Sequence, residues 1–393
     1  MPDTNINPHQ KRPHQVSIHN WREHPGSQWA FHHVCEIIPS APIRSSPDTG
    51  NPLPDGFADF SATTYDCNGI AVSMEQLCQR THTDGLVILK SGQVIYRYEA
   101  DYYDSLSPHI LFSVSKSITA LVAGILQDQG SFDPESPVAH YLPGVKGGVY
   151  ENCTIRHILD MTVALDFEEN YTDDNSEYMD YRQATAWNPA DQNNPGPSLE
   201  EFLYRLRQSN QPHGHAFLYR SPNSDLLGLA LEQASGIPYP RLLSDLLWKP
   251  LGARYDGYVT VDRYGVSRAA GGICITLDDF ARVGQLIADG GWANERSVVS
   301  TDWIEDTIHN GDKDAWDRGN YAQKLPNGRY RNKWYQIGDK DQSISARGIH
   351  GQLLYINHKR NVVAARVSSQ PEPLNEIFTA SMLTAFDQIA QTF

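Results

Sequence analysis

Two hairpin patterns near opposite ends of the chain constrain its fold more than any other feature. The first joins residues 85–89 to residues 94–98 through a turn at Gly92, and the second joins residues 351–356 to residues 361–368. Both have β-branched or aromatic residues on either side of a short turn, which is typical of paired antiparallel strands. Mainly helical patterns lie between them. This layout predicts an α+β fold in which both ends of the chain build one antiparallel sheet and a helical lobe is inserted.

Domain boundaries follow from this layout. Residues 1–60 are rich in proline and polar residues and predict an extended N-terminal arm with a short aromatic patch, Trp29-Ala-Phe31. Residues 61–393 then form one domain, with the sheet built from about 61–112 and 265–393 and the helical lobe from about 130–264. The 393 residues suffice for one large unit or for two lobes around one cleft.

Helical periodicity is clearest over residues 113–129, which end at Gly130. The same patterns predict shorter helices over 154–160, 226–234 and 240–247, and an amphipathic helix from about 375 to 392. Residues 166–197 are polar and rich in Asn, Asp and Tyr, and we interpret them as one long loop.

Composition excludes several classes of partner. The formal net charge of −15 argues against nucleic acid and against an anionic membrane surface, because both require a basic footprint. The sequence contains no run of about 18 apolar residues, so it predicts no membrane span. Its polar start lacks the apolar segment that is typical of a secretory signal. The five cysteines are odd in number and form no Cys-x-x-Cys pair. We therefore expect reduced thiols and a cytoplasmic location.

Ser113-Val-Ser-Lys116 is the single Ser-x-x-Lys motif of the sequence. Residues three apart on a helix share a face, so the Lys116 ammonium could reach the Ser113 oxygen. A serine hydroxyl needs a base to become a nucleophile, and burial lowers the pKa of a lysine enough for it to serve. Backbone N–H groups at the helix start would stabilise an oxyanion. The alternative is a helix cap followed by a solvated lysine.

Two further segments offer partners for such a site. Tyr219 opens Tyr-Arg-Ser-Pro-Asn-Ser-Asp just before a predicted helix, where a tyrosine can exchange protons with a Ser/Lys pair, although it can also be a packing residue. Gly348-Ile-His-Gly351 precedes the late hairpin, and glycines there let backbone N–H groups approach a ligand, although a plain turn has the same pattern.

Metal and cofactor signals are weak. The pairs His32-His33 and His213-Gly-His215 have no third ligand at a recognised spacing. No Gly-x-Ser-x-Gly, His-Glu-x-x-His, P-loop or dinucleotide fingerprint is present. We therefore expect neither a metal nor a cofactor.

The three motifs, in this order and spacing, resemble the serine β-lactamase and penicillin-recognising hydrolase superfamily. The similarity extends over nearly the whole chain and is greatest to the 6-aminohexanoate-dimer (nylon-oligomer) hydrolases and their carboxylesterase relatives. Supporting segments are Trp29-Ala-Phe31, Thr154-Ile-Arg-His-Ile-Leu159, Trp248-Lys-Pro-Leu-Gly252 and the stretch from Gly271 to Arg282.

The resemblance implies a role for each matching residue. Ser113 would be the acylated nucleophile, Lys116 its proton acceptor or electrostatic partner, and Tyr219 the proton donor to the leaving group. The choice of base between Lys116 and Tyr219 stays open, because coupled groups resist a single assignment. The N–H groups of Ser113 and Ile349 would form the oxyanion hole. The residues implied in substrate binding are Tyr171, Arg182, Ala270, Tyr335 and His350.

The chain departs from the superfamily at positions that choose the substrate. Ser221 stands where Tyr-x-Asn has asparagine, and Arg347 precedes Gly348 where many members have Lys-Thr-Gly or Lys-Ser-Gly, so we expect little β-lactam hydrolysis. Arg182 and Ala270 stand where some nylon-oligomer hydrolases hold the amino end of the substrate with Asp and Asn, and Tyr335 replaces a tryptophan. A cation at position 182 would repel an ammonium.

These observations predict a serine hydrolase that cleaves small linear amides or esters through an acyl-enzyme. One alternative is a carboxylesterase with little amidase activity, and another is a non-catalytic scaffold that keeps the fold. A small-molecule amide or ester is the expected partner, and whether the chain forms a homodimer is left open.

Overall fold

The computed structural model describes residues 13, 15–46, 50–170, 176–190 and 195–393. Its strands, in chain order, are β1 Ser40–Ile43, β2 Tyr65–Cys67, β3 Ile70–Val72, β4 Thr83–Lys90, β5 Gln93–Glu99, β6 His109–Ile110, β7 Gly257–Thr260, β8 Ile273–Ile275, β9 Trp292–Ala293, β10 Arg296–Ser297, β11 Arg329–Arg331, β12 Trp334–Gln336, β13 Ile344–Gly348, β14 Gln352–Asn357 and β15 Val362–Ser368. Its α-helices are α1 Gly26–Ala30, α2 Met74–Arg80, α3 Val114–Asp128, α4 Val138–Tyr141, α5 Ile155–Leu159, α6 Glu177–Ala184, α7 Leu199–Arg205, α8 Pro222–Ser235, α9 Tyr239–Leu242, α10 Lys249–Leu251, α11 Leu277–Ala288, α12 Thr301–His309, α13 Lys313–Asp317 and α14 Glu376–Thr392.

A seven-stranded antiparallel sheet forms the centre of the fold, in the order β11-β12-β13-β14-β15-β4-β5. Both predicted hairpins are confirmed, with Lys90 opposite Gln93 in one and Asn357 opposite Val362 in the other. Strand β15 pairs with β4, so the two hairpins meet side by side. The sheet is therefore built from both ends of the chain, as the sequence predicts.

Side chains of the central strands alternate between two cores because successive residues of a strand point to opposite faces. Leu86 and Ile88 pack with Phe386 of α14 in one core. Val87 and Leu89 belong to the larger core on the other face, which includes α3, α11 and the helical lobe. The sheet is thus covered by helices on both faces.

Helix α3 runs through the larger core, and every residue from Val114 to Leu126 is buried. The predicted helix over residues 113–129 is thus confirmed. Its apolar side chains explain why it is buried. The shorter predicted helices are also present, as α5, within α8, and in the stretch from α9 to α10, which passes through a π-helical turn at Leu243–Trp248. The predicted terminal helix is α14.

Two sequence predictions need correction. The predicted loop over 166–197 contains helix α6, which buries Tyr178 and Tyr181 on one side. Its periodicity is hidden because tyrosines supply the buried face in a polar stretch. The arm holds helix α1 and strand β1, and the region predicted as a helical lobe supplies β7, which pairs with β1 in a second sheet of order β1-β7-β8-β6.

Among the residues that the structure describes, no helix is both long and apolar enough to cross a bilayer.

Close packing of α3 can be tested at Gly124. A Cβ atom there would lie 2.6 Å from ring atoms of Trp303, which is buried. Overpacking destabilises a protein by about 1–3 kcal/mol. The higher helix propensity of alanine relative to glycine offsets up to about 1 kcal/mol of this loss. We therefore expect Gly124→Ala to lower the free energy of unfolding by about 1–2 kcal/mol, measured by urea denaturation.

The matched control is Gln127→Ala at an exposed position of the same helix, which should change the unfolding free energy by less than about 0.5 kcal/mol. Equal or greater stability of Gly124→Ala would contradict the close contact with Trp303.

Candidate active site

A strained turn places Ser113 at the start of α3. Phe112, the residue before it, is buried and has a φ of 45°, a left-handed conformation that costs a non-glycine residue energy unless its surroundings hold it. The Phe112 ring packs on Phe31 and Trp21 of the arm and on Trp187, with centroid distances of 5.0, 6.1 and 5.8 Å. Aromatic packing therefore fixes the backbone that presents Ser113.

The side chains of Ser113 and Lys116 meet on one face of α3, as their spacing predicts. Lys116 Nζ lies 2.7 Å from Ser113 Oγ and 2.6 Å from the carbonyl oxygen of Ala270. The Lys116 side chain is 1% exposed. Burial lowers the pKa of its amine to about 7, and the neighbouring Glu169 carboxylate partly opposes this shift. The amine is therefore available as a base near neutral pH.

A buried ionic network holds the acceptor of Lys116 in place. Asp225 of α8 accepts the backbone N–H of Ala270 at 2.7 Å through one carboxylate oxygen. Its other oxygen accepts the Arg268 guanidinium and the Tyr181 hydroxyl. The network fixes the carbonyl oxygen of Ala270 and, through it, the direction of the lysine amine.

Tyr219 lies beside Ser113 and Lys116. Lys116 Nζ is 5.2 Å from the centroid of its ring, and its hydroxyl bonds with Ser113. Burial raises the pKa of the Tyr219 phenol well above its ordinary value. The phenol thus keeps its proton near neutral pH and can donate it. Its ring stacks on that of Tyr335 at a centroid distance of 6.4 Å.

Ser221 occupies a position where the resemblance implies an asparagine in many members. Its N–H and its hydroxyl each donate to a different carboxylate oxygen of Glu169, both at 2.6 Å. Glu169 and Ser221 line one pocket with Ser113. A serine–carboxylate pair therefore stands here in place of an amide side chain.

Strand β13 ends at Gly348, next to the segment that leads into α3. A Cβ atom at Gly348 would lie 2.5 Å from the carbonyl oxygen of Leu111, so only glycine permits this approach. Ile349 and Ser113 line the same pockets on both sides of the nucleophile. Among the described residues, neither of their N–H groups donates to a backbone carbonyl outside regular helices and strands. Ser113 and Ile349 therefore line the same space, as the oxyanion hole implied by the resemblance requires.

Only some of the substrate-binding residues implied by the resemblance lie next to Ser113 and Lys116. Ala270 lies against Lys116, and Tyr335 lines the cleft beside Tyr219, where the Arg347 guanidinium lies 4.8 Å from the Tyr335 ring centroid. Tyr171 lies outside the described residues.

Arg182 and His350 lie further from the nucleophile and line an adjacent cavity. The His350 ring is 2% exposed, and its Nδ1 bonds with the carbonyl oxygen of Gln370 at 2.7 Å. Burial lowers the pKa of this histidine to about 4. Its ring also packs on Phe112 at a centroid distance of 5.4 Å, so it supports the strained turn.

Sequence reasoning missed four residues of the site. Asp225 lies six positions after Tyr219, in the same sequence segment. A carboxylate on the buried face of a helix is unusual, so it could have indicated a residue of the site. The three others, which lie in polar or loop-like sequence without such a signal, are Glu169, Trp187 and Arg268.

Metal ligands are not gathered anywhere in the described ranges, since no three His, Cys, Asp or Glu side chains are placed to hold an ion there.

Comparison with known proteins agrees with this geometry. Residues 73–385 match the family described as Beta-lactamase. The 6-aminohexanoate-dimer hydrolase of Paenarthrobacter ureafaciens is 33% identical over 360 residues, which cover 91% of this chain and 89% of that protein.

Solved structures show the same fold. A Bacillus anthracis protein assigned as a 6-aminohexanoate-dimer hydrolase superposes with a TM-score of 0.87 at 21% identity, covering 97% of this chain and 99% of that one. EstCE1, a hydrolase with promiscuous acyltransferase activity, gives 0.61 at 16% identity, covering 80% and 96%. The chain therefore belongs to the Beta-lactamase family of serine hydrolases and, within it, groups with the 6-aminohexanoate-dimer hydrolases.

Proposed function

We propose that the protein hydrolyses small linear amides and esters through an acyl-enzyme formed on Ser113. The observation that carries the proposal is the contact of 2.7 Å between Ser113 Oγ and Lys116 Nζ, whose pKa burial lowers to about 7. An amine with this pKa is half neutral near pH 7, and its neutral form can accept the serine proton.

The proposed acylation step uses each polar group once. Lys116 takes the proton of Ser113 as its oxygen attacks the substrate carbonyl, and the N–H groups of Ser113 and Ile349 bind the resulting oxyanion. Tyr219 gives its proton to the departing amine or alkoxide, and the lysine ammonium 5.2 Å from its ring is a nearby source of replacement. Water then attacks the acyl-enzyme with the same groups in reverse order, which releases the acid and restores the serine.

The substrate class is argued from the relative and from the cleft. The Paenarthrobacter ureafaciens relative is named as a hydrolase of the 6-aminohexanoate dimer. In this chain the ring of Tyr335 and the ring of Tyr321 line the cleft beside Tyr219 and offer an apolar wall to a flexible chain. We therefore propose small linear amides as substrates, and nylon oligomers are one example of such amides.

A carboxylesterase with little amidase activity is the second candidate. Arg182 and Ala270 supply neither the carboxylate nor the amide that some relatives are expected to use on the amino end of an amide substrate. Weaker positioning of the substrate affects amides first, because an amine is a poorer leaving group than an alcohol. The alternative of a non-catalytic scaffold predicts a damaged motif, whereas Ser113, Lys116 and Tyr219 are all present together.

The cytoplasmic location, the absence of nucleic-acid and membrane partners, the low β-lactam hydrolysis and the oligomeric state stay predictions.

Ser113→Ala tests the nucleophile. We expect it to abolish the mass increase caused by a serine-directed fluorophosphonate and to lower kcat/KM for nitrophenyl esters by about 10³-fold or more, because no other group replaces the attacking oxygen. Intact-mass spectrometry and ester assays measure both effects. Ser297→Ala, at an exposed position of β10, is the control and should behave like the wild type. Equal labelling of Ser113→Ala would overturn the assignment.

The pH profile tests the base. Lys116 acts only when neutral, so kcat/KM should rise about tenfold per pH unit below its pKa and level off above about pH 7. The measurement uses a neutral ester between pH 5 and 9, with the buffer rate subtracted. A profile that is flat, or that falls as pH rises through this range, would exclude Lys116 as the base. Lys116→Met should remove the rise together with the activity.

Tyr219→Phe tests the proton donor. Loss of the hydroxyl should lower kcat/KM for an alkyl amide by about 100-fold or more, since the amine must be protonated as it leaves. A nitrophenyl ester should lose less, because nitrophenolate leaves without a proton. Tyr264→Phe, with its ring 63% exposed, is the matched control. Equal losses on both substrates would contradict a role at the leaving group.

A further inference from the structure

A second buried lysine lies in the turn between β11 and β12. Asn332 and Lys333 form this turn with φ values of 49° and 66°, and the Lys333 side chain is 1% exposed. Burial lowers the pKa of its amine well below the ordinary value, and the charge of Lys116 adds to this effect. The nearby Asp160 carboxylate is held by Arg331 and by the N–H of Asn332. Burying an amine is costly, yet the proposed chemistry gives Lys333 no step.

The backbone of Lys333 bonds with helix α3. The Ser117 hydroxyl donates to the Lys333 carbonyl oxygen at 2.8 Å. Ser117 directly follows Lys116 in the helix, and it is 1% exposed, so water does not compete for this bond. The turn that contains Lys333 is therefore fixed to the first part of α3, which also carries Ser113.

The same residue bonds with the end of helix α5. Its backbone N–H donates to the carbonyl oxygen of Leu159 at 3.0 Å, and its amine donates to the carbonyl oxygen of Ile158. The last carbonyl groups of a helix have no partner within the helix and need donors from elsewhere. Lys333 supplies two such donors, one from its backbone and one from its side chain.

The end of α5 leads to the proposed proton donor. Met161 is buried and has a φ of 56°, a left-handed conformation that its surroundings must hold. Its carbonyl oxygen accepts the N–H of Leu218 at 2.7 Å, and its side chain belongs to the aromatic cluster that contains Tyr219. Lys333 thus bonds both with the helix that carries Ser113 and with the turn that holds the segment of Tyr219.

We propose that Lys333 is a positioning residue, which sets the distance between Ser113 and the Tyr219 hydroxyl by bonding with both supporting elements. The inference rests on the proposed function, because it needs Tyr219 to protonate the leaving group. Without the amine, the end of α5 loses a donor, and Met161 can shift together with the segment of Tyr219. A misplacement of about 1 Å can lower a catalytic rate about 100-fold.

Lys333→Met keeps an unbranched side chain and removes the amine. We expect kcat for an alkyl amide to fall about tenfold or more, because the departing amine needs the proton of Tyr219. For a nitrophenyl ester kcat should fall less than about threefold, since nitrophenolate leaves without a proton, and KM should change little for either substrate. Both rates come from one enzyme preparation, so a loss of folded protein would lower them equally and leave their ratio unchanged.

Ser117→Ala removes the bond with α3 and keeps the amine, so it tests the proposal even if Lys333→Met does not fold. The ratio of amide to ester kcat should fall about threefold or more. Two controls should keep the wild-type ratio. Lys146→Met changes an exposed lysine, and Ser235→Ala removes a hydroxyl that donates to the carbonyl oxygen of Leu231 at 2.7 Å in α8.

A double variant tests whether Lys333 acts through Tyr219. In Tyr219→Phe no hydroxyl remains to be positioned, so adding Lys333→Met should lower amide turnover by less than about threefold. A further loss of about tenfold in this background would overturn the proposal. A shift of the acidic limb of the pH profile by about one unit in Lys333→Met would also overturn it, because Lys333 would then act through its charge on Lys116.

The outcomes separate this proposal from the proposed function. If the wild type hydrolyses neither the amide nor the ester, the proposed function fails. If the wild type hydrolyses both, and Lys333→Met or Ser117→Ala keeps the wild-type ratio of amide to ester kcat, the function stands and the positioning role is overturned.

Discussion

Removal of the Lys116 amine from water is the constraint on which the rest of the site depends. A lysine in water holds its proton too tightly to serve as a base, and burial, assisted by the nearby Arg268 charge, brings the pKa of Lys116 to about 7. Burial requires the whole face of the helix to be apolar, which the residues from Val114 to Leu126 provide. The need to bury the Lys116 amine therefore explains both the apolar sequence of this helix and the chemistry proposed at its first turn.

A buried amine still needs hydrogen-bond acceptors, and the surrounding elements supply them. Ala270 offers its carbonyl oxygen, while Asp225 and Arg268 fix that carbonyl from behind. A buried ion pair adds little net stability, because desolvation offsets most of the attraction between the charges. Its value here is geometric, since Asp225 holds the N–H of Ala270 through one carboxylate oxygen and Arg268 through the other.

The sequence predicts the Ser113–Lys116 pair better than it predicts the residues that surround this pair. Ser113 and Lys116 lie three positions apart, and helix geometry alone brings them together. The sheet follows from two hairpins whose alternation is plain. Glu169 and the tyrosines of α6 lie in a segment that has the composition of a loop, and its order comes from contacts with distant residues. Local patterns do not show such contacts, which is also why the sequence of the arm predicts an extended segment although the arm forms α1 and β1.

The proposed chemistry and the outer cavity draw on different parts of the molecule. The proposed proton transfer uses groups from α3 and from the turn before α8, both within the core. The cavity beside Ile349 instead takes Arg22 from the arm and Arg182 from α6.

The strained turn at Phe112 has a consequence for the order in which the molecule folds. Its ring is held by Phe31 and Trp21, and the Trp21 indole N–H donates to the carbonyl oxygen of Trp187, 166 residues further along the chain. Contacts between such distant residues form after local ones, because closing a long loop costs entropy before any contact repays it. Helix α3 can therefore form early, whereas the nucleophile gains its final orientation only when the arm docks. Competence for catalysis is then among the last properties that the folding chain acquires.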